Sequence, residues 1–137
     1  MAHGLPSVTE YGGARPRLVS PVLKPDSIDV FGCRIDRVTM NDAMTCCHRF
    51  LAEGGPHTIV TADTSGIVIA QEDAEYRRIL NAADLVTPDS IGVVWASRRF
   101  RKPLPERVPG VDTMERLCEL ASETGADAQA AADVAEL

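Results

Sequence analysis

Apolar and polar positions change period several times along this chain, and each change predicts a new element. Ile28, Val30, Cys33 and Ile35 hint at a half-buried strand, with Gly32 marking a turn or bulge inside it. Thr39 then stands as an N-cap, and Met40, Ala43, Met44, Cys47 and Phe50 recur at helical spacing as far as about Glu53. Gly54, Gly55 and Pro56 stop that helix. His57 to Ala62 is a β-rich run that predicts a buried strand, and Asp63, Thr64 and Ser65 form a cap cluster leading into Gly66 to Gln71. Asp73 caps a further helix whose Tyr76, Ile79, Leu80 and Ala83 face inward. Asp84 to Thr87 predicts the next strand, and Ile91, Val94 and Trp95 mark the helix after it. Pro103 and Pro105 punctuate a loop. Asp112 and Glu115 have capping-box spacing, and Met114, Leu117, Cys118 and Ala121 give the last helix its apolar face.

Strands alternating with helices predict an α/β fold, a Rossmann-like parallel sheet with flanking helices and right-handed crossovers. Residues 1–27 carry Pro6, Pro16, Pro21 and Pro25 with Gly4, Gly12 and Gly13, and read as a flexible leader. The folded domain is expected over residues 28–125. The Ala-rich tail over residues 126–137 reads as weakly helical at most, with little to bury.

Totals narrow the function classes. At 137 residues there is room for one domain with a core, and aromatics at 4% leave the packing to aliphatic side chains. The formal net charge of −6 argues against a nucleic-acid binder, although a phosphate can still be held locally. Cys33, Cys46, Cys47 and Cys118 show no C-x-x-C spacing, and His3, His48 and His57 add no ligand pattern, so no metal site is expected. Reduced, buried thiols in a cytoplasmic protein are the better reading. No segment reaches the roughly 18 apolar residues that span a bilayer, and the N-terminus lacks a secretory signal.

The candidate chemistry gathers at predicted strand ends. Asp89 falls at a strand's carboxyl end beside a helix N-terminus, where open α/β sheets place ligands. A carboxylate there can act as a general base if held within hydrogen-bond reach, and Pro88 stiffens the approach. Spacing alone favours a plain cap for the helix at Ile91. Thr61 and Asp63 reach the same sheet edge, where a hydroxyl and a carboxylate could bind the hydroxyls of a ligand, with a helix cap as the alternative at Asp63. Arg107 offers a fork of donors suited to phosphate, although a lone loop arginine is more often solvated. Asp112 is balanced between a substrate contact and a cap. Arg98, Arg99, Arg101 and Lys102 form the densest positive patch, facing diphosphate, anionic lipid or only water. GxGxxG and Walker patterns are missing, no cofactor is expected, and the lack of an Asp-x-Asp pair agrees with a metal-independent mechanism.

The stretch Asp73-Ala-Glu-Tyr-Arg-Arg-Ile-Leu-Asn-Ala-Ala-Asp-Leu-Val-Thr-Pro-Asp89, with Glu106-Arg-Val-Pro-Gly-Val-Asp112 after it, resembles the N-terminal half of the WecG/TagA/CpsF glycosyltransferases. The resemblance runs from about Ile28 to Gly125. It implies transfer of an N-acetylmannosaminyl-type sugar from a UDP-sugar to a polyprenyl-diphosphate-linked acceptor in bacterial surface-polymer synthesis. It also implies Asp89 as base, Thr61 and Arg107 as active-site positions, Asp112 in the family's Gly-x-Asp element, a tendency to form homo-oligomers, and work at the inner face of the cell membrane. Two positions depart from the family pattern: Asp63 stands for an asparagine, and Ser90 for a glycine. Family members continue for roughly another hundred residues, so the sheet is expected to be incomplete here, with one strand edge exposed. A catalytically inactive remnant that binds a nucleotide-sugar or a homologous subunit, and a bland interaction module, are the competing readings.

Overall fold

The computed structural model describes residues 24–124 and 134–136. Most of the expected leader, and most of the Ala-rich tail, lie outside the described residues. The first described elements form a hairpin, β1 (Ser27–Val30) and β2 (Cys33–Asp36), paired antiparallel with Val30 opposite Cys33. A two-residue loop needs positive φ at both positions. Phe31 supplies 50° and Gly32 82°, so the glycine signal marked the turn. Ser27, the last residue of the expected leader, is the first residue of β1, and Asp26 before it pairs with Arg37 and Lys102.

α1 (Met40–Glu53) starts at the Thr39 capping box, in which Asp42 answers Thr39, and closes at Gly54. Next come β3 (His57–Ala62), α2 (Thr64–Glu72), α3 (Ala74–Ala82), β4 (Leu85–Pro88), α4 (Ile91–Ser97), α5 (Gly110–Thr124) and β5 (Val134–Glu136). β4 and β5 flank β3, both parallel to it, with Thr61 opposite Thr87 and Ala62 opposite Pro88. The tail was expected to be helical if anything; its residues 134–136 instead add a strand to β3. A parallel neighbour satisfies backbone groups along that edge of β3, which an isolated Ala-rich helix would leave unpaired.

Alternation along β3 and β4 splits the core in two. Val60, Ala62 and Val86 pack with Ile28, Val30, Cys33, Ile35, Ile67, Leu80 and Val93, so the hairpin, α2, α3 and α4 cover one face of the sheet. Ile59 and Leu85 pack with Ala43, Cys46, Cys47, Phe50, Val108 and Leu117, so α1 and α5 cover the other. A parallel sheet sandwiched between helices is the partial Rossmann-like α/β arrangement that the pattern predicts.

Two backbone groups on the outer edge of β4 are taken up by a side chain and a loop. The Val86 amide donates to the Asp36 carboxylate at 2.8 Å, and the Pro88 carbonyl accepts from the Val108 amide at 2.7 Å. Asp36 in turn accepts from Arg34 Nε and Nη2 at 3.0 and 2.8 Å, while Arg34 Nη1 donates to the carbonyls of Asn81 and Ala83. One buried carboxylate therefore ties the hairpin to β4, and its arginine ties the hairpin to the end of α3.

Two apolar faces differ from expectation. α5 buries Thr113, Leu117, Leu120 and Ala121, while Met114 is 39% exposed and Cys118 is also exposed, so only three of the four thiols are buried. α4 buries Val93, Val94 and Ser97, which turns Ile91 and Trp95 outward. The neighbours that decide which side of a helix is inside come from distant sequence, and spacing alone cannot choose among adjacent apolar stripes.

Candidate functional site

The chain order reverses at β3: β4 lies on one side of it and β5 on the other. Ligand crevices of open α/β sheets form at the carboxyl ends of strands at such a switch point. Thr61 and Ala62 end β3 there, and Pro88 ends β4. The ladder runs on one residue further, since the Asp89 amide donates to the Ala62 carbonyl at 2.9 Å. Residues 85, 87 and 89 share a parity, and Leu85 packs toward α1 and α5. Asp89 accordingly meets the start of α5: its Oδ2 accepts from the Gly110 amide at 3.3 Å.

Arg107 lies on the loop that precedes α5. Leu104 and Val108 are buried on either side of it and anchor the loop, and the Val108 amide bonds the end of β4. The guanidinium thereby reaches Asp89 twice, with Nε donating to the Asp89 carbonyl at 2.6 Å and Nη2 standing 3.8 Å from Oδ1. Arg107 is about half exposed and the Asp89 side chain 27% exposed, so the pair is open to a ligand. Glu106, next to it, accepts from the Met40 amide and fastens the loop to the first turn of α1.

Asp89 does not cap its own helix. Ser90 does, accepting from the Val93 amide, which leaves the carboxylate for α5. Asp63 takes the cap role that sequence left open for it: its Oδ1 accepts from the Gly66 amide at 2.7 Å at the start of α2. Tyr76 lies beside this turn, its phenol pushed above the usual range by burial first and by the Asp63 charge second. Asp112 is not an N-cap, because α5 already begins at Gly110 and Asp112 lies in its first turn. With Arg107 it lines an open groove of about 670 Å³ that Met40, Pro109, Glu115 and Arg116 help to form. Thr61, Asp63 and Asp89 are not among the residues lining that groove.

Asp89 and Arg107 are thus in contact, and Thr61 stands opposite Thr87, two residues before Asp89 on the neighbouring strand. Asp63 and Asp112 sit at two separate helix starts. Thr87 was missed by sequence reasoning. Its hydroxyl is buried without a hydrogen-bond partner among the described residues, two residues before Asp89. The available signal was a hydroxyl residue in an otherwise apolar strand.

Ser90 and Thr64 share a hydrogen bond at 3.1 Å, which joins the first turns of α2 and α4. With α5 opening at Asp89, three helix N-termini border one sheet edge. The positive end of a helix favours an anion, and Arg107 adds a full positive charge beside them.

Among the described residues no helix is long and apolar enough to cross a membrane. The sequence pattern of the Glycosyl transferase WecG/TagA/CpsF family matches residues 28–132. Among curated proteins the chain is similar to the N-acetylglucosaminyldiphosphoundecaprenol N-acetyl-beta-D-mannosaminyltransferases of Staphylococcus aureus strains NCTC 8325 / PS 47 and COL. Each is 30% identical over 96 residues, covering 69% of this chain. The chain spans 38% of the length of those relatives. With the family pattern running through both strands of the edge, the helix starts and the Arg107 loop, the chain belongs to the WecG/TagA/CpsF glycosyltransferase family.

Proposed function

We propose that this chain carries the base-bearing half of a glycosyltransferase site. In that reaction an N-acetylmannosaminyl group moves from a UDP-sugar to a hydroxyl of a polyprenyl-diphosphate-linked sugar. The relatives' names supply the sugar and the lipid-linked acceptor. The observation that carries the reading is the contact of Asp89 with Arg107 at the first amide of α5.

Asp89 is the base. Its Oδ2 is held by the Gly110 amide, so Oδ1, on the Arg107 side, takes the proton from the acceptor hydroxyl. The freed oxygen attacks the anomeric carbon, the bond to the diphosphate breaks on the opposite face, and the sugar is delivered with inversion. The leaving UDP carries the electron pair away. Arg107 and the neighbouring helix N-termini offset its charge without a metal ion. Thr61 contacts a sugar hydroxyl from the adjacent strand. Asp63 and Asp112 contribute at the helix starts that they occupy, each as an acceptor for a sugar hydroxyl. Acting on a lipid-linked acceptor implies work at the inner membrane face.

Purified protein incubated with UDP-N-acetylmannosamine and a short-chain lipid-linked N-acetylglucosamine should yield product. Asp89→Asn keeps an acceptor for Gly110 but cannot take a proton, and should lower transfer about 10²–10⁴-fold with folding nearly intact. Unchanged transfer by Asp89→Asn would refute the assignment. Heat on titration with UDP but no product from the unaltered chain would instead identify a nucleotide-binding form without turnover.

A further inference from the structure

The face of α4 turned away from the core combines exposed apolar side chains with a run of cations. Ile91 is 72% exposed and Trp95, one turn on, 62% exposed. Phe100 follows at 39%, and Val68 is exposed on α2, one turn beyond the Thr64 that bonds Ser90. Arg98, Arg99 and Arg101 continue directly from this stripe, all exposed and in no ion pair among the described residues. From Ile91 to Pro105 there are four cations and no acid, in a chain whose net charge is −6. Lys102 alone of the four is engaged, by Asp26.

We propose that this face of α4 and the turn after it dock on a bilayer containing anionic phospholipid. Ile91, Trp95 and Phe100 enter the interface and the three arginines lie against the headgroups. Charge complementarity chooses this occupant. A second copy of an acidic chain would also bury the apolar residues, but the local charge is what an anionic leaflet attracts. Tryptophan suits the headgroup boundary, being apolar in its body and polar at its N–H. Ile91 is two residues from Asp89, so docking here would bring the sheet edge close to a headgroup-level substrate. The surface is inferred from exposure and charge, and stands whether or not the transfer reaction does.

Trp95 is the sole tryptophan, so its emission reads the contact directly. Adding vesicles of equal parts phosphatidylglycerol and phosphatidylcholine should shift the emission to the blue, and brominated lipid should quench it. Vesicles of phosphatidylcholine alone should do neither. Each arginine is worth roughly a five-fold change in partition, so Arg98→Gln, Arg99→Gln and Arg101→Gln together should weaken binding about a hundred-fold. Raising salt should weaken the unaltered protein in the same direction. Circular dichroism and UDP titration of the triple variant check that fold and nucleotide binding persist. Equal binding to neutral vesicles, or an unaffected triple variant, would overturn the proposal. So would a blue shift without lipid that grows with protein concentration and tracks dimer formation in sedimentation.

Discussion

Replacing Asp36 tests what holds the hairpin against the strand that leads to Asp89. The residue is 1% exposed, and its carboxylate accepts three hydrogen bonds, two from Arg34 and one from the Val86 amide. Asp36→Ala strands the Val86 amide, a buried donor whose loss of partner costs about 1–3 kcal/mol. It also releases a guanidinium. Breaking a fully buried ion pair costs about 3–5 kcal/mol, but the Arg34 side chain is 22% exposed and can hydrate in part, which places the total near about 3 kcal/mol. Asp36→Asn is the sharper probe because shape is preserved. Oδ2 serves both Val86 and Arg34 Nη2, while Oδ1 serves Arg34 Nε. An amide has one acceptor, so either orientation sets its NH₂ against at least one of these donors, and a loss of about 2 kcal/mol is expected. Urea unfolding followed by circular dichroism measures both changes against a total stability of about 5–15 kcal/mol for a domain of this kind. If both variants stay within about 0.5 kcal/mol of the parent, as ordinary surface changes do, the carboxylate is not the fastening.

Other outcomes follow from the same packing. Burial pushes the Cys47 thiol up to about 12 from 9.0, so the folded form resists ionisation that the unfolded chain undergoes at the ordinary value. The stabilising contribution is complete below pH 9 and is lost as pH rises toward 12. Between pH 8 and 10 the loss is about 1.4 kcal/mol, and urea titrations of Cys47→Ala should lack that part of the slope. Under native conditions a thiol-reactive dye should label Cys118 first, with Cys33, Cys46 and Cys47 reacting only after denaturation; rapid labelling of two or more would contradict their burial. Thr39→Ala removes the acceptor for the Asp42 amide at the start of α1 and should cost about 1 kcal/mol in the same urea assay, with an unchanged midpoint as the refuting result.

Elements governed by local chemistry were legible in the sequence. The Thr39 cap, the stop at Gly54, the Gly32 turn, the β3 run and the caps at Asp63 and Asp73 all depend on residues within a few positions of one another. Contacts set by distant partners were not. Arg34 and Asp36 are two apart on a strand and so share a face, but nothing near them says that β4 will bury it. Ile91 and Trp95 look like a core stripe until Val93 and Val94 take the inside. At the candidate site, Asp89 and Arg107 were named from sequence, but the link between them passes through Val108 and Gly110. Those residues gave no chemical signal, because a small residue and a buried valine look the same wherever a loop is anchored.

The cap for its own helix that sequence weighed for Asp89 falls to Ser90, and the proposed base role is left with a carboxylate that meets a different helix. α2 and α4 each carry a capping side chain of their own in Asp63 and Ser90. α5 opens at Gly110 after Pro109, and its first amide donates to a carboxylate 21 residues away in sequence. That long-range cap fixes one oxygen of Asp89 and, through Arg107, sets a cation on the side of the other. A carboxylate held only by its own helix would turn with that helix. This one is referenced to β3 through its amide, to α5 through Oδ2 and to the Arg107 loop through its carbonyl. Two elements thus fix the Asp89 backbone and a third holds one carboxylate oxygen, the kind of preorganisation that the proposed base would need before any substrate arrives.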